Sequence, residues 1–169
     1  MYQLEVKLAL VRLSFPPASG WRVHVDVDSM ERAKGGQHKP DKGERAAAAA
    51  AELVRIGAQL SPDPRFGRVD VVAEHDEHGL RLLEVEGESS RQPEQAMYSA
   101  LGQLLLSMKL EGRQIRYGLA VPDTPSWVRQ LRKIPPEVTK RLLVDLYLVA
   151  ENHISLVRAG ESLPNFARG

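Results

Sequence analysis

The segment FGRVDVVAEHDEHGLRLLEVEGES, residues 66–89, constrains the fold of this chain more than any other stretch. Two runs rich in valine, leucine and other apolar residues flank HDEHG, whose polar residues and final glycine are typical of a turn. The alternation on both sides of this turn predicts a β-hairpin. If the five residues 75–79 form the turn, Glu74 pairs with Leu80 across the two strands.

Three acids lie inside the predicted strands, where a core favours apolar side chains. In this register Asp70 lies across from Glu84, and Glu86 points to the same face as Glu84 because side chains alternate along a strand. Cross-strand neighbours have Cβ atoms about 4.5–5.5 Å apart, and like charges at this separation are destabilising. A hard divalent cation such as Mg²⁺ would neutralise the three carboxylates. Two alternatives to a bound cation stay open: Arg68 faces Glu86 and can pair with it, or the polar face of the sheet is simply solvated.

Composition excludes several classes of protein. The chain has 169 residues, enough for one domain with a core, and we predict a single α/β domain over residues 1–169. It has no cysteine, which excludes disulfides, thiolate metal sites and a cysteine nucleophile, and agrees with a cytoplasmic protein. No apolar run approaches the roughly 20 residues that span a bilayer, so no membrane association is expected. Because the net charge is only +1, any nucleic-acid binding would depend on a local basic patch.

The spacing of apolar residues predicts the remaining elements. Residues 2–13 and 21–28 alternate like strands on either side of SFPPASG, which predicts an N-terminal β-hairpin over residues 1–28. Helices are predicted over ERAAAAAAELVRIGAQL, which stops near Gly57, and over PEQAMYSALGQLLLSMKL, which begins at Pro93. The buried stripe predicted for the second helix consists of Met97, Leu101, Leu104, Leu105 and Met108. Further along the chain, QIRYGLAVP, LLVDLYLVAE and HISLVRA are predicted strands, and PSWVRQLRKI is a predicted short helix.

The pattern Asp70 … Glu84-Val85-Glu86, followed by glycine and then a helix, resembles the signature of the PD-(D/E)XK nuclease superfamily. That signature has an Asp on one central strand and acid-x-Lys on the next. More narrowly, MYSALGQLLLSM, RYGLAVPDT and VDLYLVAEN are similar in order and character to the fdxN-element excision controlling factor family. The resemblance covers about residues 42–157. It implies a restriction endonuclease-like core, with a central mixed sheet flanked by helices and the N-terminal hairpin as an extension.

The resemblance also implies a reaction, the metal-assisted hydrolysis of DNA phosphodiester bonds. Asp70, Glu84 and the Val85 carbonyl would bind Mg²⁺, with Mn²⁺ as a substitute. Glu86 would be a further ligand or the base that orients the attacking water.

One position departs from the superfamily pattern, because Glu86 stands where the family has lysine. That lysine helps to orient the water and to stabilise charge at the phosphorus. Some restriction enzymes of the superfamily carry Glu at this position, so the substitution does not by itself exclude catalysis. Arg91 and Lys109 are the candidates for the missing positive charge.

Two polar residues match positions that face the site in the superfamily. Glu44, in the helix start KGERAA, would hold a metal-bound water or a second ion, but it is equally explained by the helix dipole with Asp41 as N-cap. Gln95, near the start of the second helix, is either such a site residue or an exposed helix residue. His75 and His78 lie on a tight turn and are expected to be solvated and not to bind zinc.

Basic residues supply candidate contacts to a DNA backbone, which give affinity without sequence information. The stretch 129–141 is one such region. The individual residues predicted to contact nucleic acid are Arg32, Lys34, Lys39, Lys42 and Arg91. Aromatic residues are sparse, so no stacking platform for single strands is expected.

Three functions follow from these patterns, and the leading one is a Mg²⁺-dependent DNA endonuclease. The second is a non-catalytic DNA-binding or regulatory protein that retains the nuclease fold. The third is a protein-interaction module with an incidental acidic face. A site built from one subunit cuts one strand at a time, so double-strand cleavage would require a homodimer.

Overall fold

A six-stranded mixed β-sheet organises the chain, with strand order β1-β2-β3-β4-β5-β6. The computed structural model describes residues 1–29, 31, 39–88, 92–108 and 115–164. The strands are β1 (Arg22–Val25), β2 (Val71–His75), β3 (Gly79–Val85), β4 (Ile115–Pro122), β5 (Val144–Val149) and β6 (Ile154–Val157). Strands β1, β2 and β3 pair antiparallel, β3, β4 and β5 pair parallel, and β6 returns antiparallel to β5.

Helices cover both faces of this sheet. They are α1 (Gln3–Ser14), α2 (Lys42–Arg55), α3 (Pro93–Ser107), α4 (Pro125–Leu131) and α5 (Pro136–Leu142), with a short 3-10 helix at Pro17–Ser19. Leu83 and Val85 of β3 pack with α1 and α2, whereas Leu80 and Leu82 pack with α3 and α4. Because side chains alternate along a strand, a run that is apolar at nearly every position suits a sheet covered on both sides. The predicted mixed sheet flanked by helices is confirmed.

The central hairpin has the predicted register, but its turn is 76–78 and not the predicted 75–79, because His75 pairs with Gly79. Glu74 pairs with Leu80, and Val71 pairs with Leu83 at the other end of the ladder. The predicted strands and short helix that follow the second helix are also confirmed, as β4, α4, β5 and β6. The turn sequence and the period-two pattern were therefore sufficient to place this part of the sheet.

The predicted N-terminal hairpin over residues 1–28 is wrong, because its first half is helix α1 and only β1 forms a strand. The apolar residues of this segment also recur at helical spacing, so its sequence is compatible with both structures. Six α1 residues are buried, and Lys7 is one of them. An alternating pattern assigns a lysine to the solvent-facing side of a strand. Lys7 is fully buried instead, so the strand prediction failed.

The first two predicted helices form, with one error in the buried face. Helix α2 ends at Arg55 and is followed by Gly57 at φ +97°. The residues of α3 that are buried are Ala96, Met97, Ala100 and Leu104. Leu105 was predicted to be buried but is about half exposed, because α3 packs on the sheet through a narrow face rich in alanine.

Helix α5 was missed, although proline at its first position, Glu137 in its first turn and basic residues in its last turn are helix signals. Of the predicted DNA contacts, Arg32, Lys34 and Arg91 lie outside the described residues, as does Lys109. In the part of the chain that the structure describes, no helix has the length and apolar character needed to cross a membrane.

Close contact between α1 and the end of β3 depends on Gly87. A Cβ atom at this position would lie 2.7 Å from the carbonyl carbon of Tyr2 and closer still to the backbone of Gln3. Only glycine admits this approach, because real Cβ contacts are not that short.

We expect Gly87→Ala to destabilise the protein by about 1–3 kcal/mol, because α1 must move away from the sheet. Urea unfolding followed by circular dichroism measures the loss. Gly102→Ala is the matched control, since an added Cβ meets nothing within 4 Å there. Alanine in the interior of α3 should leave stability unchanged or raise it by up to about 1 kcal/mol. Equal effects of the two substitutions would contradict the close approach at Gly87.

Candidate active site at the strand ends

A cleft of about 480 Å³ opens where β2 begins and β3 ends. The start of α1, the segment after β1 and the last turns of α3 complete its walls. The acidic residues that line it are Asp26, Asp28, Glu31, Asp70 and Glu84. This end of the sheet carries far more negative charge than the chain as a whole.

The structure brings Asp70 and Glu84 together. Asp70 precedes β2 and accepts the Val85 backbone N–H at 2.9 Å through its Oδ2 atom. Glu84 is 3% exposed. Burial, the charge of Asp70 and a hydrogen bond to Asp70 raise the pKa of Glu84 to about 9. The raised pKa favours the protonated form of Glu84 at neutral pH, with a hydrogen bond to Asp70.

A lysine from α1 supplies the cation that neutralises this cluster. The Lys7 ammonium lies 2.7 Å from Asp70 Oδ1 and 2.6 Å from Glu31 Oε1. It also donates to the backbone carbonyl of Asp26 at 2.6 Å. Burial lowers the pKa of Lys7, but the charges of Asp70 and Glu31 outweigh burial and hold the pKa above its ordinary value. Lys7 is therefore a charged ammonium whose three donors each reach one acceptor.

Glu31 is the second carboxylate held by Lys7. It is 6% exposed, and its backbone N–H donates to Asp28 Oδ1 at 2.8 Å. Burial raises the pKa of Glu31 to about 7. The Oε2 atom of Glu31 has no hydrogen-bond partner among the described residues.

Gln3 links α1 to the end of β3. Its Nε2 atom donates to the Val85 carbonyl at 2.7 Å and lies 3.5 Å from Asp70 Oδ2. One helix thus brings both an amide and an ammonium to the acid pair. The position of α1 is in turn held by Arg45, which binds the Glu5 carboxylate at 2.7 Å.

Glu86 lies just past the end of β3. It is half-buried, and its backbone N–H donates to the Ala120 carbonyl at 2.9 Å. Its charge contributes to the raised pKa of Glu84, so the two side chains are neighbours. Arg68, which was an alternative partner for Glu86, binds Asp26 at 3.2 Å.

The two other predicted catalytic residues are both exposed. Glu44 lies in the first turn of α2, and Gln95 lies near the start of α3. The glutamine of α3 that lines the cleft is Gln103, not Gln95. Glu44 and Gln95 are therefore not brought to the acid pair.

Among the predicted DNA contacts, Lys39 is exposed and Lys42 is half-buried at the start of α2. The rings of His75 and His78 stack 4.5 Å apart at the turn of the hairpin, the end remote from the acids. Within the described ranges, no group of three or more histidine or acidic side chains is arranged to hold a metal ion.

Three residues of the site were missed by sequence reasoning: Gln3, Lys7 and Glu31. Lys7 had a detectable signal, because on a helix it falls between apolar residues on a buried face. Gln3 and Glu31 had none, since their partners are distant in the chain. No protein-family model, curated protein or solved structure matches this chain.

We expect Lys7→Met to destabilise the protein by about 3–5 kcal/mol, because it leaves the buried carboxylates of Asp70 and Glu31 without their cation. Lys133→Met is the matched control. Lys133 binds Glu94 at 2.7 Å, but both side chains are about half exposed. Its loss should cost at most about 1 kcal/mol. Urea unfolding at pH 7 compares the variants, and similar costs would show that the Lys7 contacts are not buried ion pairs.

Glu84 makes stability depend on pH. Its pKa is about 9 when folded, against 4.5 as the ordinary value, so proton binding favours the folded state at low pH and this advantage is lost as the pH rises toward 9. From pH 5 to pH 8, wild type should lose about 1–3 kcal/mol of unfolding free energy relative to Glu84→Gln. Glu137→Gln, at an exposed position, should show no such trend. A constant difference across this range would contradict the raised pKa.

Proposed function

We propose that this protein hydrolyses DNA phosphodiester bonds with the help of a divalent metal ion. The observation that carries the proposal is that Asp70 and Glu84 line a cleft at the strand ends and that the buried Lys7 contacts Asp70 from behind it. Two acids and a lysine are the residue types of the PD-(D/E)XK signature. The proposal includes a restriction endonuclease-like fold, and the antiparallel hairpin followed by a helix and a parallel strand supports it.

Lys7 accounts for the departure at Glu86. The positive charge that the signature places two residues after Glu84 comes here from α1, and it reaches Asp70 at 2.7 Å. Lys7 has no solvent-exposed surface, so it is a positioning residue that acts through Asp70. It orients the Asp70 carboxylate toward Glu84 and provides positive potential beside the place where the phosphate would sit.

The donor atoms near Asp70 suit a hard cation. Two carboxylates and the Val85 carbonyl form an oxygen set, which is the kind of ligand that Mg²⁺ and Mn²⁺ prefer. Asp70, Glu84 and the Val85 carbonyl would hold the ion, with Glu86 as a further ligand or as the base for water. The ion would polarise the phosphate and lower the pKa of a bound water. Glu84 must lose its proton to take part. The Val85 carbonyl accepts from Gln3 and keeps a second lone pair for the ion.

The cleft also offers a basic residue at its rim. Arg68 lines the cleft, and its side chain is 75% exposed, so it can contact a backbone phosphate. We include Lys39 and Lys42 as weaker candidates for the same role. Cleavage of both strands would require a second copy of the chain.

A non-catalytic DNA-binding protein is the second candidate. The observation that favours it is that Lys7 and the proton on Glu84 already neutralise the acids that a metal would otherwise have to neutralise. The two candidates differ in whether a divalent ion displaces that proton.

Calorimetric titration of Mg²⁺ and Mn²⁺ separates them, together with plasmid nicking. Glu84→Gln removes a ligand and leaves the Lys7 contacts in place, so it should weaken metal binding tenfold or more, about 1.4 kcal/mol, and abolish nicking. Asp123→Asn is the control, because Asp123 is exposed and does not line the cleft. Metal binding without cleavage would favour the second candidate. Absence of binding, with and without DNA, would contradict the nuclease.

A further inference from the structure

A row of charged residues crosses the opposite face of the sheet, the face covered by α1 and α2. Arg81 on β3 and Arg116 on β4 are neighbours in the parallel register. Asp145 lies on β5, next to Gly118 of β4. Arg158 follows β6. Arg81 shares its face with Leu83, whereas Glu84 points to the other face, so this row is separate from the acidic cleft.

Asp145 is the carboxylate at the centre of the row, and both of its oxygens accept hydrogen bonds. It is fully buried. Arg116 donates to both of its oxygens at 3.2 Å, and Arg158 donates to Oδ2 at 3.4 Å. The Ala159 backbone N–H donates to Oδ1 at 2.9 Å. Two guanidinium groups therefore share this carboxylate, and Arg81 adds a third positive charge to the row. The other acid beside the row is Glu161, which accepts the Arg158 backbone N–H at 3.0 Å, so positive charge is in excess.

Arg81 is the guanidinium of the row that makes no hydrogen bond or ion pair to an acid among the described residues. Its side chain makes one hydrogen bond to them, to the carbonyl of Leu80 at 3.2 Å. Burial lowers the pKa of Arg81, and the charges of Arg116 and Arg158 act in the same direction, whereas Tyr147 and Asp145 act against it. Like charges on neighbouring strands are destabilising. The three arginines of the row exceed its one buried carboxylate, Asp145, by two positive charges.

We propose that Arg81, Arg116 and Arg158 bind a phosphate dianion. The planar guanidinium donates two parallel hydrogen bonds to phosphate oxygens, and a dianion matches the charge excess of the row. The row is open to solvent from one side, because the Arg158 side chain is exposed and the Arg116 side chain is partly exposed. Inorganic phosphate and the terminal 5′-phosphate of an oligonucleotide share this chemistry. The site is separate from the metal-dependent reaction proposed above.

The test is calorimetric titration of inorganic phosphate at constant ionic strength, in buffer that contains EDTA. We expect binding to wild type and to Arg141→Gln, a control at an exposed arginine outside the row. Arg81→Gln should bind phosphate about tenfold more weakly or not at all. Because it removes like-charge repulsion, Arg81→Gln should fold as well as wild type, which circular dichroism verifies. Arg158→Gln, which leaves Asp145 paired with Arg116, is a second variant expected to weaken binding.

A second titration compares an oligonucleotide with and without a 5′-phosphate. Binding that needs both the 5′-phosphate and Arg81 would support the site and identify a nucleic-acid end as its ligand. Binding of inorganic phosphate alone would support the site with a free anion as its ligand. Binding that Arg81→Gln does not weaken, or no binding of either probe, would overturn the proposal. None of these results depends on a divalent metal, so they do not test the nuclease proposal, which has its own experiment.

Discussion

The burial of the Lys7 ammonium is the constraint on which the candidate site depends. An unpaired buried charge costs several kcal/mol, so the three acceptors around Lys7 must stay in place for the chain to fold. Those acceptors come from Asp70 before β2, Glu31, and the Asp26 carbonyl after β1. One side chain thus ties α1 to the hairpin and to the segment that follows the edge strand. These contacts therefore set the geometry of the acid pair, Asp70 and Glu84.

The approach of α1 is supported by contacts outside the cleft. Gly87 leaves room for the first residues of the helix against the end of β3. At the start of α2, Asp41 accepts the Tyr2 hydroxyl at 2.8 Å, and Arg45 lies over the Tyr2 ring. These contacts fix the point at which α1 meets the sheet, so they also fix where Gln3 and the ammonium of Lys7 reach the acids.

The charge of the molecule is close to balanced, yet the two faces of the sheet differ in sign. Acids collect at the strand ends on the side of Glu84, and arginines collect around Asp145 on the other side. In a medium of low dielectric each cluster needs a counter-charge close by. For the acids that counter-charge is Lys7 and a retained proton. For the arginines, Asp145 supplies only part of it.

The sequence alone determined the hairpin register, helices α2 and α3, and the order of β4, α4, β5 and β6, because local periodicity and turn chemistry decide these elements. It also placed Asp70 across from Glu84, since register follows from the turn. Tertiary structure decided that residues 3–14 form a helix, since their pattern fits either period. It alone decided that Lys7 neutralises Asp70 and Glu31, that the pKa of Glu84 is raised and that Glu44 does not line the cleft. These properties depend on burial and on charges distant in sequence, which no local pattern records.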